Sequence, residues 1–196
     1  MIPYQNILRQ RTLKLAFLYP GPEDPLLNRV VARVSKNPVC HVELVFEDDM
    51  SFSIFQGSNL FFRHRTFSNP EYKVVALNVS SEEYLKAYYF CQEAVKHDFV
   101  FTDMGMLGSY FQPRHCPFLC SSPSGYSGST FCSKIVTEAL QFGEVPEVAH
   151  LIPSTTTPSL LLDTVGKSPR CVLDTVQFRK QLLFETGIVR VNRMAI

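Results

Sequence analysis

The chemistry this chain can carry centres on one cysteine and one histidine. Cys132 follows a stretch rich in Gly and Ser and lies in the first turn of a predicted helix. Unpaired amides and the macrodipole at such a position favour an anion. A thiolate there is a nucleophile, and the same amides can stabilise an oxyanion. His41 sits in Cys40–Glu47 (CHVELVFE), whose alternation places His41, Glu43 and Val45 on one strand face and Val42, Leu44 and Phe46 on the other. A thiol nucleophile needs an imidazole within hydrogen-bond reach and a third polar group to orient the ring. Gln56, on the returning strand of the same hairpin, is the preferred third group. Glu43 is its competitor, two residues along the strand and about 7 Å away. Taken alone, each has a plainer explanation: the histidine and its neighbours are solvent-facing strand polarity, and the cysteine is a small residue packing at a helix start.

The elements that must position these residues follow from periodicity and punctuation. Leu13–Tyr19 alternates as a strand and is broken by Pro20-Gly21-Pro22. Residues 25–35 repeat apolar positions at helical spacing and end at Asn37-Pro38. The hairpin turns at Glu47-Asp48-Asp49 and returns over Ser51–Gln56, and Tyr72–Val79 forms a third strand. Ser80 and Glu83 form a capping box for a helix running to about Lys96. Residues 99–111 suit a short helix, and 112–128 suit a long loop. Ser129 or Thr130 caps the helix bearing Cys132, and Gly143 stops it. Thr157-Pro158-Ser159 starts another helix. Strand-like pieces occur at 170–176 and 187–191.

Composition narrows the classes. With 196 residues, 45% hydrophobic and 19% charged, the chain suits one globular domain with an appendage. We set the boundary at 1–166 for the domain, with 167–196 as a C-terminal extension. A net charge of +1 argues against nucleic-acid binding as the main role. The short cluster Arg63-His64-Arg65 reads as a solvated turn rather than a phosphate site. The six cysteines (40, 91, 116, 120, 132, 171) form no compact framework. Met1–Gln10 lacks the apolar core of a secretory signal, so reduced thiols and a cytosolic or nuclear compartment are expected. No apolar run reaches the roughly 18 residues of a membrane span. His115, Cys116 and Cys120 invite a zinc reading, but the spacing is loose and free loop thiols fit it better.

Two segments carry a resemblance. Cys40-His41-Val42-Glu43-Leu44-Val45-Phe46 resembles the histidine strand of permuted papain-like hydrolases of the NlpC type. Phe131-Cys132-Ser133-Lys134-Ile135-Val136 resembles their cysteine helix start. The segment before His41, Leu107-Gly108, and Thr157-Pro158-Ser159-Leu160 resemble flanking landmarks, so the likeness spans roughly residues 13–165. It is nearest to compact forms of bacteria and large DNA viruses.

The resemblance implies an α+β fold with a curved antiparallel sheet packed against the cysteine helix. It implies Cys132 as nucleophile, His41 as base and Gln56 in the third polar position. No cofactor and no metal are implied. The substrate would be a peptide, a protein or an acylated small molecule, cleaved at an amide-like bond. An acyltransferase or lipid-acting hydrolase is the alternative within the enzyme class, and Phe61-Phe62 and the 105–108 stretch suit either. A catalytically silent structural or binding protein of viral type is the alternative outside it. The expected location is cytoplasmic, meaning the host cytoplasm or the virion for a viral member. Lys134 departs from the family, which has an acidic residue there.

Overall fold

Apolar residues at every second position of the first strand, set against apolar partners across two neighbours, build the sheet around which everything else is arranged. The computed structural model describes residues 10–21, 29–30, 32–33, 38–67, 71–111 and 128–173. In chain order the elements are β1 (Arg11–Leu18), β2 (His41–Val45), β3 (Met50–Ser53), β4 (Phe61–His64), β5 (Tyr72–Val79), α1 (Ser81–Ala94), β6 (Phe99–Phe101), α2 (Asp103–Phe111), β7 (Gly128–Thr130), α3 (Cys132–Phe142), α4 (Pro158–Gly166) and β8 (Cys171–Leu173). The class is α+β. Six strands form an antiparallel sheet in the order β4-β3-β2-β1-β5-β8. β6 and β7 form a separate parallel pair.

Register decides which face each side chain takes, because directly paired residues share a face. Leu13 opposes Leu77, Leu15 opposes Val75 and Leu44, Phe17 opposes Val42, and Leu44 opposes Phe52. All of them belong to the main core, together with Tyr84, Ala87 and Cys91 of α1 and Ile135, Val136, Ala139 and Leu140 of α3. Each such aliphatic side chain, fully buried, contributes about 1.5–3 kcal/mol. The opposite face carries His41, Glu43, Ser51, Ser53 and Tyr72, by the same registers.

Several local expectations need adjusting. β4 is absent from the sequence reading, and Phe61–His64 pairs with β3 to complete the hairpin edge. The span 99–111 begins as a strand, since Phe99–Phe101 pairs with Gly128–Thr130 and only Asp103–Phe111 is helical. A three-residue apolar run gives no periodicity to distinguish the two. Residues 29, 30, 32 and 33 are helical within the expected 25–35 helix. The rest of that helix, the loop 112–127, the zinc candidates His115, Cys116 and Cys120, and the 187–191 strand lie outside the described residues.

Two helix ends anchor the frame. The capping box closes α1, with Ser80 Oγ accepting from the Glu83 amide and the Glu83 carboxylate accepting from the Ser80 amide. Glu83 also meets Arg170 at 3.0 Å, and Arg170 pairs with Glu147 as well. That contact, with a second hydrogen bond from Ser168, holds the Glu147 carboxyl down at about 2. Arg170 therefore ties β8 to α1 and to the turn at Pro146–Val148. At the far end of α3, Gly143 lies against α1. A methyl group there would approach Glu83 O to 2.9 Å and the Ala87 methyl to 3.1 Å. Gly143→Ala should therefore force the two helices apart and lower stability by about 1–3 kcal/mol. Urea unfolding would measure this, and an unchanged midpoint would show that the helices accommodate the methyl group.

Candidate active site

The cysteine reaches its position through a helix start with unusual neighbours. Neither Ser129 nor Thr130 caps α3. Thr130 is committed to β7, and the N-cap is Phe131, in extended conformation and with no side-chain cap. No acidic side chain lies in the first turn. The amides there are thus neither capped nor neutralised by a side chain, which is the electrostatic setting a developing anion needs. Phe131 is itself buried and packs with Leu18, Cys40 and Met106, away from the main core. Cys132, one residue on, belongs to the main core. The helix start is wedged between the two clusters. Ser133 fixes it further, its hydroxyl donating to the Thr156 carbonyl at 2.7 Å.

α3 packs along β2, and its first residue meets the first residue of that strand. The His41 imidazole lies close enough to the Cys132 thiol for the two to interact electrostatically, and its Nε2 lies 3.7 Å from Glu43 Oε1. That separation is ion-pair range but too long for a direct hydrogen bond, and Nε2 has no other hydrogen-bond partner. Both reacting groups are enclosed, Cys132 at 1% exposure and His41 at 6%. Burial alone would push the imidazole towards neutrality. Cys132 and Glu43 outweigh it, and His41 is raised to about 9.

Glu43 is the most constrained charge of the site. It has no exposure, yet four groups meet it from four segments. Ser51 Oγ donates at 2.6 Å from β3, Tyr72 donates at 3.2 Å from β5, and Arg65 Nε lies at 3.4 Å beyond β4. His41 approaches from the same strand. Burial opposes the charge, but His41, Ser51 and Arg65 together hold the carboxyl below its ordinary range. Burial and the Glu43 charge in turn push the Tyr72 phenol up, so that it stays a donor. The small Ala16 stands opposite Glu43 on β1, between it and β5.

Gln56, the preferred third group, is not at the imidazole. It is exposed, and its amide donates to Asp103 at 2.7 Å. The physical reason is parity. Leu44 opposes Phe52, so continuing the register sets Phe55, not Gln56, opposite His41. Phe55 stacks on the imidazole at 4.3 Å with 19° between the planes. The sequence reading therefore missed Phe55, Ser51, Tyr72 and Arg65. Counting register outward from the hairpin turn finds the first two. Of the cluster expected as a solvated turn, Arg63 and His64 are exposed, while Arg65 is half-buried against Glu43. Phe61 and Phe62 part company: Phe62 packs against Phe46, Phe52 and Tyr88, while Phe61 stacks on Phe55. Lys134 faces Glu138 at 3.9 Å and Ser129 O at 3.4 Å.

The arrangement suits proton transfer between a thiol and an imidazole with a carboxylate behind it. Among the described residues, no group of three His, Cys, Asp or Glu could hold a metal ion, and Cys40, Cys91, Cys132 and Cys171 form no disulfide. No described helix is long and apolar enough to cross a membrane. No protein-family model matches the chain, and neither does any curated protein or solved structure.

Two carboxylate variants test the roles. Glu43→Gln keeps the shape and removes the charge, so the His41 titration, followed by NMR, should move to lower pH from about 9. Glu43→Ala leaves Ser51, Tyr72 and Arg65 without their partner and should cost about 3–5 kcal/mol in denaturant unfolding. Gln56→Ala should move neither quantity. A His41 midpoint that followed Gln56 and ignored Glu43 would reverse the assignment.

Proposed function

We propose that this chain is a thiol hydrolase of the permuted papain-like, NlpC type, acting on an amide-like bond. The observation that carries this is the buried imidazole of His41, with the Cys132 thiol and the Glu43 carboxylate as its polar neighbours. Three further features support it. The histidine strand precedes the cysteine helix in the chain, as in the permuted order. The helix packs on an antiparallel sheet. The start of α3 is uncapped by any side chain, where an oxyanion would lie.

In the proposed cycle, His41 takes the Cys132 proton, and the imidazolium so formed is favoured by Glu43 behind it. The sulfur attacks the substrate carbonyl, and amides at the start of α3 receive the negative oxygen. His41 returns its proton to the leaving group, and water releases the acyl group from the sulfur. Glu43, in place of Gln56, is the polar group beside the imidazole and favours its charged form. No step calls on a cofactor. Transfer of the acyl group to an acceptor other than water, including a lipid, uses the same steps up to the acyl-enzyme. The substrate class is a peptide, a protein or an acylated small molecule, and the location is cytoplasmic.

One observation favours a second reading, a structural or binding protein that retains the pair without turnover: the sulfur is enclosed, at 1% exposure. Alkylation separates the two. With a small alkylating probe at pH 6 and site mapping by mass spectrometry, Cys132 should label fastest of the six cysteines. His41→Ala should slow that labelling by about 100-fold or more. Incubation with peptide, ester and thioester acyl donors should then add an acyl mass at Cys132 that the Cys132→Ala chain never acquires. If Cys132 labels no faster than Cys91, which is buried and pushed up by that burial, the silent reading replaces the hydrolase.

A further inference from the structure

The polar neighbours of the His41 imidazole, Cys132 and Glu43, do not fix the plane of the ring. The edge at Nε2 has no hydrogen bond, and its carboxylate is 3.7 Å off. Rotation of an imidazole about its χ2 bond is soft and broad, so a 3.7 Å charge contact leaves the orientation loose. Something else must hold the ring where the thiol can use it.

The face of the ring supplies the constraint. Phe55 lies flat on it, with centroids 4.3 Å apart and planes 19° apart. The strand order β4-β3-β2 sets Phe61 on the other side of Phe55, where it stacks at 5.4 Å and 14°. Arg63 then lies 4.8 Å over Phe61. Imidazole, phenyl, phenyl and guanidinium are thus in successive contact, from β2 through the segment after β3 to β4. Moving Phe55 off the imidazole would also break its stack on Phe61.

Resting on the thiol–imidazole reading above, we infer that Phe55 is the positioning residue of His41: its ring sets the imidazole plane and favours the protonated ring over the neutral one. The electrostatic reason is that an aromatic face is negative and attracts a cation lying flat on it. The charged and titratable groups around the imidazole are few. Cys132 faces it from the start of α3, and Glu43 from its own strand. Tyr72 from β5 and Arg65 beyond β4 face Glu43. Arg65 also lies 5.1 Å from the Phe55 centroid and shares that ring with His41. The ring has a second effect of opposite sign, because it helps keep water from the imidazole. Leucine keeps that shielding and lacks the aromatic face, so Phe55→Leu isolates the attraction.

The test is an NMR titration of the His41 ring in the full chain, paired with the pH profile of Cys132 alkylation. Phe55→Leu should move the His41 midpoint to lower pH by about 0.5–1 unit and slow Cys132 labelling at pH 8 by about three- to tenfold. Phe55→Tyr should restore both. A merely packed ring would alter stability without moving either quantity. Phe55→Met serves as a second variant should the leucine chain fold poorly. A folded Phe55→Leu or Phe55→Met chain with an unmoved His41 midpoint overturns the inference. The same pair measured in the Cys132→Ala background separates the two proposals: a midpoint that still moves there supports the role of Phe55 even if the thiol proves inert throughout.

Discussion

A carboxylate with no exposure at all governs how this sheet can be assembled. Isolated in the interior, Glu43 would be too costly to keep ionised. It is kept by hydroxyls from Ser51 and Tyr72, the guanidinium of Arg65 and the imidazole of His41. These donors come from β2, β3, β5 and the segment after β4. A one-residue slip of any of these strands would turn a donor to the other face and leave the charge unpaired. The hydrophobic face specifies the same register independently through Leu15, Phe17, Leu44 and Phe52. Two constraints, one apolar and one ionic, therefore select a single pairing. That agreement is what brings His41 to the end of the sheet where α3 begins.

Much of this frame is legible in the sequence because it depends on local signals. The alternation of Cys40–Glu47 gives the faces of β2 correctly, down to His41 and Glu43 sharing one side. The capping box at Ser80, the stop at Gly143 and the Thr157-Pro158 start each appear in the structure. What escaped depends on partners remote in the chain. β4 and the β6–β7 pair are short, and their pairing is fixed by neighbours rather than by their own pattern. Thr130 has the chemistry of a cap but is held in a strand, so Phe131 takes the N-cap instead.

The choice between Gln56 and Glu43 shows the same division. Residue type and a place on the returning strand of the same hairpin favour the neutral amide, while Glu43 is the nearer along the chain. The deciding quantity is parity within the hairpin, which the turn at Asp49 sets. Asp49 adopts φ 57°, and Phe46 donates to Met50 O across it. Register counted from that turn pairs His41 with Phe55 and leaves Gln56 to Asp103 of α2. A basic cluster likewise splits by position: Arg65 is drawn inward by a charge that the sequence does not reveal as buried, while Arg63 and His64 remain exposed.

Finally, β8 is a strand of three residues that covers the outer edge of β5, from Val75 to Leu77. Without it, the amides and carbonyls of that edge would face outward beside an apolar strand, ready to pair with any extended chain. The Arg170 contacts to Glu83 and Glu147 secure the residue just before β8. Seen this way, the end of the described chain guards against self-association. A cut or a loss of charge near Arg170 would free β8 and uncover the Val75–Leu77 edge for pairing with another extended chain.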